Sequence, residues 1–342
     1  MYTDVYCTGL PEELFRLADT GEMRRLENVG MHCGCEYTAF PIYRTALPYS
    51  RYTHSLGAAA ITWRFTASLR ESAAALFHDI ATPVFAHTVD FLHRDYLTQE
   101  STEAETGDIL RRSREITEIL DGLSLTVGEV EDYHIYPIAD NPSPRLSSDR
   151  LEYTLGNARL ALGMTDGEAA DIIRDLFVGE NETGERELCF AHLEEALALG
   201  KTAIFQSRWF VSDDDRFSMQ ALADVLRYAL SLGVLTEREL GTTEPEVIGK
   251  LLSHPETAAL WRRYRSVGKT CAAPEKPEGI YAVKLGAKKR YIDPLVRTER
   301  GARRLTEVSG DYAEQVREFL KDDFDRWVWA APQPSPGSSA SW

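Results

Sequence analysis

Histidine and aspartate side chains lie in three short segments that otherwise favour buried helices, and this pattern constrains the fold more than any other feature. His54 lies in the run RYTHSLG, His78 and Asp79 in ALFHDI, and Asp149 in SDRLEY. Burying such polar groups costs free energy unless a partner pairs or coordinates them. One divalent metal ion bound by all four side chains would meet this cost, provided that the fold brings the three segments together.

The ligand set of two imidazoles and two carboxylates limits both the ion and the chemistry. Nitrogen and oxygen ligands without sulfur suit Mn, Fe, Co, Ni, Zn or Mg and argue against a structural zinc knot. Four protein ligands on an octahedral ion leave positions for water and a phosphate oxygen, as metal-assisted hydrolysis requires. The sequence therefore predicts one divalent metal ion, bound between helices as in metal sites of helical bundles.

Apolar residues recur at spacings of three and four along most of the chain, which predicts a mainly helical architecture. The expected helices cover residues 10–28, a segment from about 52, 69–80, a segment that starts at Thr82-Pro83, 100–120, 146–162, 166–178, 185–206 and 217–232. Strand-like alternation on both sides of Gly286 predicts one small β-hairpin near 279–292.

These elements predict an all-α fold with one small hairpin. We expect residues 1–165 to form the metal-binding core with an N-terminal helix, and residues 166–330 to form a helical extension packed on that core. The last segment, 331–342, is rich in Pro, Ser and Gly and is expected to be disordered.

Composition excludes several classes of partner. The formal net charge is −16, from 54 acidic and 38 basic residues, so the general field disfavours extended nucleic acids and anionic membranes. Five cysteines suggest no disulfide framework. The first 25 residues contain no signal-like apolar run, and no stretch is long enough to span a membrane. We expect a soluble, cytoplasmic protein that can form homo-oligomers.

The same segments carry a resemblance to a known family. Their order, H…HD…D, resembles the HD-domain superfamily of metal-dependent phosphohydrolases, named for its His-Asp pair. Ser50–Gly57 and His78–His87 look most like the corresponding segments of the deoxynucleoside triphosphate triphosphohydrolase branch. The resemblance extends over about residues 20–165. It implies an HD-type helical bundle and assigns His54, His78, Asp79 and Asp149 as the metal ligands.

Further site residues are implied by the resemblance. His87 matches a histidine directed at the phosphate region, so that it would contact phosphate or act as a general acid, with Asp90 orienting it. The two lie three residues apart and would share one face of a helix that starts at Pro83. Arg51 matches an arginine that contacts substrate phosphate. Arg150 and Tyr153 match residues that face the substrate.

Two positions depart from the triphosphohydrolase pattern. Thr82 and Gln99 stand where that branch commonly has histidines. Glutamine cannot transfer a proton at neutral pH, although it can hydrogen-bond a water or a phosphate. Glu100 and Glu103 are candidate replacements for the missing acid or base, and a favourable charge near a helix N-terminus would explain both equally well.

The densest basic cluster of this acidic chain lies late in the sequence, at Lys288, Lys289 and Arg290. It is a candidate site for phosphates of a substrate or an allosteric nucleotide, although a solvated hairpin edge also commonly carries lysines. Cys33 and Cys35 are separated by a single residue, with no second cysteine pair nearby, and this spacing does not indicate a metal site.

The sequence thus predicts a metal-dependent phosphohydrolase that cleaves a phosphate ester or anhydride of a small phosphorylated molecule, a nucleotide being the leading candidate. One alternative is a regulator that binds a nucleotide at a degenerate site without hydrolysing it, which Gln99 favours. Another is a di-iron oxygenase of the same fold. That class carries two additional histidines between the HD pair and the last aspartate, and here His87, His93 and His134 form no obvious second-metal run.

Overall fold

A computed structural model describes residues 2–93 and 105–332, and helices make up most of it. The α-helices are α1 Glu12–Ala18, α2 Gly21–Arg25, α3 Pro41–Arg44, α4 Arg51–Thr66, α5 Leu69–Phe77, α6 Thr88–His93, α7 Thr106–Arg112, α8 Arg114–Gly122, α9 Ser148–Ala161, α10 Asp166–Asp175, α11 Leu193–Trp209, α12 Asp213–Ser231, α13 Glu244–Ser253, α14 Pro255–Ser266, α15 Leu305–Val308 and α16 Gly310–Lys321. The strands are β1 Leu176–Glu180, β2 Arg186–Phe190, β3 Thr270–Ala273, β4 Leu295–Thr298, β5 Gly301–Arg304 and β6 Trp327–Ala330. Short 3-10 helices cover Tyr2–Val5, Leu26–Asn28, Cys35–Tyr37, Val127–Glu129, Tyr133–Ile135 and Glu237–Gly241.

Serine caps fix the starts of the helices that surround the site. The side chains of Ser50, Ser68 and Ser147 accept hydrogen bonds from the first-turn backbone N–H groups of α4, α5 and α9. Each cap satisfies a donor that the helix itself cannot pair. The helices of the metal-site segments therefore begin at defined residues.

Several predicted helices form with different limits. The helix predicted over 10–28 is divided into α1, α2 and a 3-10 turn. The predicted start at Pro83 is wrong, because Phe85 and Ala86 have positive φ angles of 56° and 42° and α6 begins only at Thr88. Within 100–120, α7 and α8 are separated at Ser113, which caps α8.

The fold is mainly helical, but the all-α prediction is incomplete because two sheets are present. β1, β2, β4 and β5 form a four-stranded sheet in that order, and β3 pairs with β6. β1 and β2 replace the end of the helix predicted over 166–178 and the start of the one predicted over 185–206. The runs LFV and LCF favour strands, and a turn with Gly184 at φ +78° lets them pair antiparallel.

The hairpin predicted near 279–292 is also wrong. Residues in this range form no strand and pair with a strand only through Val283, which bridges Val328 of β6. The hairpin of this region lies later, where β4 and β5 pair around Gly301 at φ +99°.

The helices that carry the candidate site residues pack against one another. α4 packs against both α5 and α9, α9 packs against α11, and α6 packs against α12. The buried alanines 58–60 of α4 and 73–75 of α5 permit a close approach of these two helices. The ends that carry the histidines and the aspartates therefore meet in one place.

Within the described residues, no helix is both long and apolar enough to cross a membrane. The tail predicted to be disordered lies outside the described residues except for Ala331 and Pro332.

Candidate metal centre

The structure brings the predicted ligands together. His54 Nε2 lies 3.2 Å from His78 Nε2 and 3.0 Å from Asp149 Oδ1. One ligand atom from each of His54, His78 and Asp149 fits within 4.8 Å of the others. Asp79 lies at the edge of this group, with Oδ2 at 3.5 Å from His78 Nε2 and 3.9 Å from His54 Nε2. The side chains of His54, His78 and Asp149 therefore form the centre, and Asp79 lies beside them.

Hydrogen bonds fix both imidazoles so that their Nε2 atoms face each other. His54 Nδ1 lies 2.5 Å from the carboxylate of Glu152, and His78 Nδ1 lies 2.7 Å from the carbonyl oxygen of Ala75. Since both partners are acceptors, each Nδ1 carries a proton, and Nε2 is the ring atom left to bind a metal ion. A divalent ion between the two Nε2 atoms and Asp149 would replace the proton that His54 Nε2 otherwise shares with Asp149, so the residues present fit such an ion.

Carboxylates dominate the electrostatics of the centre. Burial disfavours the charged form of His54, but the hydrogen bonds to Asp149 and Glu152 outweigh it and raise its pKa to about 10. Burial would raise the pKa of Asp79, but Arg51 and then the two histidines hold it well below its usual range. The pKa of Asp149 is likewise lowered against burial, by its hydrogen bond to His54. The centre therefore attracts positive charge.

Arg51 and Thr82 orient Asp79. Arg51 Nη1 lies 3.1 and 3.2 Å from the two carboxylate oxygens, and the hydroxyl of Thr82 donates to Oδ1 at 2.7 Å. Thr82, which stands where the resembled branch has a histidine, thus orients the predicted ligand Asp79. Arg51 also lines the cavity, and its guanidinium contacts Asp79. Its predicted contact with substrate phosphate stays a prediction.

Glu152 is a functional residue that sequence reasoning missed. Its side chain is fully buried and accepts hydrogen bonds from the hydroxyls of Tyr2, Tyr6 and Tyr49 as well as contacting His54. A Cβ atom at Gly57 would lie 2.6 Å from this carboxylate, so only glycine leaves room for it. The sequence did contain a signal for Glu152. This acidic residue lies three positions after Asp149, and residues with that spacing share one face of a helix.

Glu152→Gln is expected to weaken divalent metal binding by about 10- to 100-fold, because outer-sphere carboxylates fix the tautomer of the ligating histidine. Competition titration of Mn²⁺ or Zn²⁺ against a chromophoric chelator measures this affinity. Glu187→Gln is the matched control, since Glu187 is equally buried but binds Arg304 and the backbone of Leu146 beside the four-stranded sheet. Equal metal affinities of the two variants would refute the role of Glu152.

A second His-Asp contact lies next to the centre. His87 Nδ1 lies 2.8 Å from Asp90 Oδ2, and the Asp90 side chain is fully buried. The predicted contact forms, but through the positive-φ turn at Phe85 and Ala86 rather than within one helix. Burial lowers the pKa of His87, with Asp90 opposing the shift. A neutral His87 that donates Nδ1–H to Asp90 keeps a lone pair on Nε2.

One large cavity of about 1050 Å³ opens onto the centre. It is lined by His87, Tyr153, Lys288 and Arg290 in addition to the metal-site residues. Lys289 faces the other way, where its Nζ atom donates to the carbonyl oxygens of Leu320 and Asp322. Lys289 therefore does not line the cavity, which corrects the prediction that all three cations face the substrate.

The remaining predicted residues occupy different places. Tyr153 packs its ring against His54 and against Phe210, with centroid distances of 6.1 and 5.2 Å. Arg150 also lines the cavity, but its guanidinium binds Asp140 and the backbone of the 141–145 loop. Gln99, Glu100 and Glu103 lie outside the described residues, so their predicted roles stay predictions.

Comparison with known proteins gives relatives of the same kind. No family model matches the chain. It is 26% identical over 283 residues to the metal-dependent phosphohydrolase cns2 of Cordyceps militaris, which covers 81% of this chain and 75% of the relative. It is 23% identical over 259 residues to the uncharacterized protein YdhJ of Bacillus subtilis, covering 73% of each.

Solved structures share the fold. A hypothetical protein from Aquifex aeolicus matches with a TM-score of 0.63 at 18% identity, over 94% of this chain and 93% of its own. A phosphohydrolase from Bacteroides thetaiotaomicron matches with a TM-score of 0.63 at 16% identity, over 92% and 94%. The relatives and the candidate centre identify the chain as a hydrolase enzyme and support the HD-type phosphohydrolase superfamily and a metal cofactor. The triphosphohydrolase branch stays a prediction.

Proposed function

We propose that the protein is a metal-dependent phosphohydrolase that cleaves a phosphate ester or anhydride of a small phosphorylated molecule, with a nucleotide as the leading candidate. The observation that carries the proposal is the pair of Nε2 atoms of His54 and His78, 3.2 Å apart beside Asp149 at the base of a large cavity. A divalent ion held there would polarise a phosphoryl group and lower the pKa of a bound water.

The residues around the centre supply the other functions that hydrolysis requires. Arg51 and Thr82 hold Asp79 toward the centre. His87, kept neutral by burial and oriented by Asp90, offers its Nε2 lone pair to accept a proton from an attacking water. This assignment replaces the general-acid role predicted for His87, because the tautomer that donates to Asp90 has no proton on Nε2.

Charge and shape of the cavity favour a phosphorylated compound with an aromatic group. Lys288 and Arg290 provide local positive charge in a chain whose net charge is −16. The rings of Tyr153 and Phe210, which both line the cavity and are tilted by 41° to each other, offer aromatic faces for stacking with a nucleobase. A cavity of about 1050 Å³ is at the upper end of the volumes usual for small-molecule sites.

Purified protein is expected to release phosphate, pyrophosphate or triphosphate from at least one member of a panel of ribo- and deoxyribonucleotides. The panel is assayed with Mn, Co, Ni, Zn, Fe and Mg in turn, and EDTA is expected to stop the release. Folded, metal-loaded protein that binds nucleotides tightly but hydrolyses none would favour the regulator alternative. Absence of both binding and hydrolysis would contradict the nucleotide assignment.

Removing a cavity cation is expected to weaken substrate binding. Lys288→Gln and Arg290→Gln should each raise the KM of the hydrolysed nucleotide roughly 10-fold or more, since a hydrogen bond to a charged group contributes about 1.5–3 kcal/mol. Lys284→Gln is the control, because Lys284 pairs with Asp325 and does not line the cavity. A KM equal to that of the control would exclude contact of these cations with the substrate.

A further inference from the structure

Three consecutive aspartates begin helix α12, and the third of them lines the cavity. Asp213 pairs with the guanidinium of Arg216. Asp214 accepts hydrogen bonds from the backbone N–H and the hydroxyl of Thr270. Asp215 is 7% exposed and lines the same cavity as the metal centre. A favourable charge at a helix N-terminus applies to all three aspartates, so it does not explain why the third lies buried in the cavity wall.

The carboxyl group of Asp215 forms no ion pair with any residue in the part of the chain that the structure describes. The adjacent cation, Arg216, instead donates to the carbonyl oxygens of Val211 and Leu285. Burial raises the pKa of Asp215 to about 8, and the opposing effects of the Cys35 thiol and of Arg216 are smaller. A buried polar group without a partner costs free energy. A hydrogen-bond donor of a bound molecule would offset this cost.

Two further acceptors, both on α11, line the same cavity. Nε2 of Gln206 donates to the carbonyl oxygen of Thr154 at 2.9 Å, which leaves Oε1 as the acceptor of this amide. The hydroxyl of Ser207 donates to the carbonyl oxygen of Ala203 at 2.8 Å, which leaves its lone pairs as acceptors. Gln206, Ser207 and Asp215 together form the acceptor side of the cavity. This side is suited to neutral hydrogen-bond donors rather than to phosphate.

Aromatic rings connect the acceptor side with the metal centre. The ring of Tyr153 lies 6.1 Å from that of His54 and 5.2 Å from that of Phe210, measured between centroids. Phe210 stands between the two helices that carry the acceptors, directly after α11 and shortly before α12. A substrate with its phosphate at the metal centre and an aromatic group along these rings would therefore extend toward the acceptor side.

We propose that Asp215 is a specificity-determining residue, which accepts a hydrogen bond from a hydroxyl or amino group on the nucleoside part of the substrate. The inference rests on the proposed function. Both protonation states of a carboxyl group keep at least one acceptor oxygen, so the contact does not depend on which state is present. A site that hydrogen-bonds a substrate group discriminates against an analogue without that group, because polar atoms of the site are then left unpaired.

The test compares the nucleotide that the panel identifies with matched analogues. Each analogue lacks one donor of the parent, which is a sugar hydroxyl or the exocyclic amino group of the base. Wild-type protein is expected to prefer the parent over one of these analogues by roughly 10-fold or more in kcat/KM. Asp215→Ala should lose that preference, and the analogue concerned identifies the donor. Asp215→Asn, which keeps one acceptor oxygen, should retain part of it.

A second measurement separates substrate recognition from a structural role. Because the buried carboxyl group of Asp215 has no ion-pair partner among the described residues, Asp215→Ala should unfold at the same temperature as the wild type or at a higher one, without substrate. Glu168→Ala is the matched control. Glu168 holds the same position in the first turn of α10, but it is exposed and its carboxylate accepts hydrogen bonds from Thr165. This control should unfold at a lower temperature and keep the wild-type preference.

Two results would overturn the inference while leaving the proposed function intact. One is an unchanged preference for the parent over every analogue in Asp215→Ala. The other is an unfolding temperature of Asp215→Ala below that of Glu168→Ala, since Asp215 would then stabilise the fold. A wild-type protein that hydrolyses no panel member with any metal would overturn both the inference and the proposed function.

Discussion

His78→Ala is expected to reduce metal-dependent phosphate release by about 10³-fold or more. The ring supplies one of the two facing Nε2 atoms, so its loss opens the centre on one side and leaves His54 and Asp149 as the remaining close pair. A metal ion contributes several kcal/mol of transition-state stabilisation, and each 1.36 kcal/mol corresponds to a factor of ten in rate. Steady-state assays on the best panel nucleotide, at saturating metal, measure the loss.

A control separates this effect from general damage to the fold. His192→Ala removes a surface imidazole from the same protein and is expected to retain full activity. Circular dichroism and thermal unfolding of both variants, recorded with EDTA, should show that each is folded. Activity of His78→Ala within threefold of the wild type would exclude His78 as a metal ligand.

Arg51→Met is expected to lower the free energy of unfolding of the metal-free protein by about 3–5 kcal/mol. The side chains of Arg51 and Asp79 are only 11% and 10% exposed, and removing one partner of a buried ion pair leaves an uncompensated buried charge. Methionine keeps most of the volume of the arginine stem, so loss of packing contributes little. Urea unfolding followed by circular dichroism, with EDTA present, measures the difference.

Arg24→Met supplies the comparison for this result. Arg24 also pairs with carboxylates, those of Asp19 and Glu27, but its side chain is 48% exposed. Exposed ion pairs contribute only about 0–1 kcal/mol. If Arg51→Met destabilises the protein no more than Arg24→Met does, then Arg51 does not compensate a buried Asp79 charge.

The metal-site prediction could be made from sequence because it depends on local patterns. His54 and Asp149 lie in helical segments with recognisable serine caps, and His78 with Asp79 follows directly on an apolar helix. The helical conformation of such segments depends mainly on neighbouring residues in the sequence and little on distant parts of the chain. Their motifs therefore predicted which side chains meet, although the sequence alone could not give the distances between them.

Features that depend on distant contacts were missed for a physical reason. β1 and β2 form in place of helix ends because they pair with each other, and β2 also pairs with β4, about a hundred residues away in the chain. This pairing selects the strand preference of LFV and LCF over the helical spacing of their neighbours. The contact between His134 and Asp140 joins a short 3-10 helix to a loop position, so no periodicity could reveal it.

The orientation of single residues in the late basic cluster could not be predicted from the sequence either. Composition identified Lys288, Lys289 and Arg290 together. Lys289 binds carbonyl groups at the end of α16, while its two neighbours line the cavity. Composition alone could not show which of the three side chains would face the cavity.

The most direct test of the metal centre is elemental analysis of metal content. Wild-type protein, His78→Ala and His192→Ala are each loaded with Mn²⁺, freed of excess ion by gel filtration and analysed for metal per chain. We expect about one ion per chain in the wild type and in His192→Ala, and a small fraction of that in His78→Ala. Equal metal content in all three proteins, or none in the wild type with any of the six divalent metals, would contradict a metal site formed by His54, His78 and Asp149.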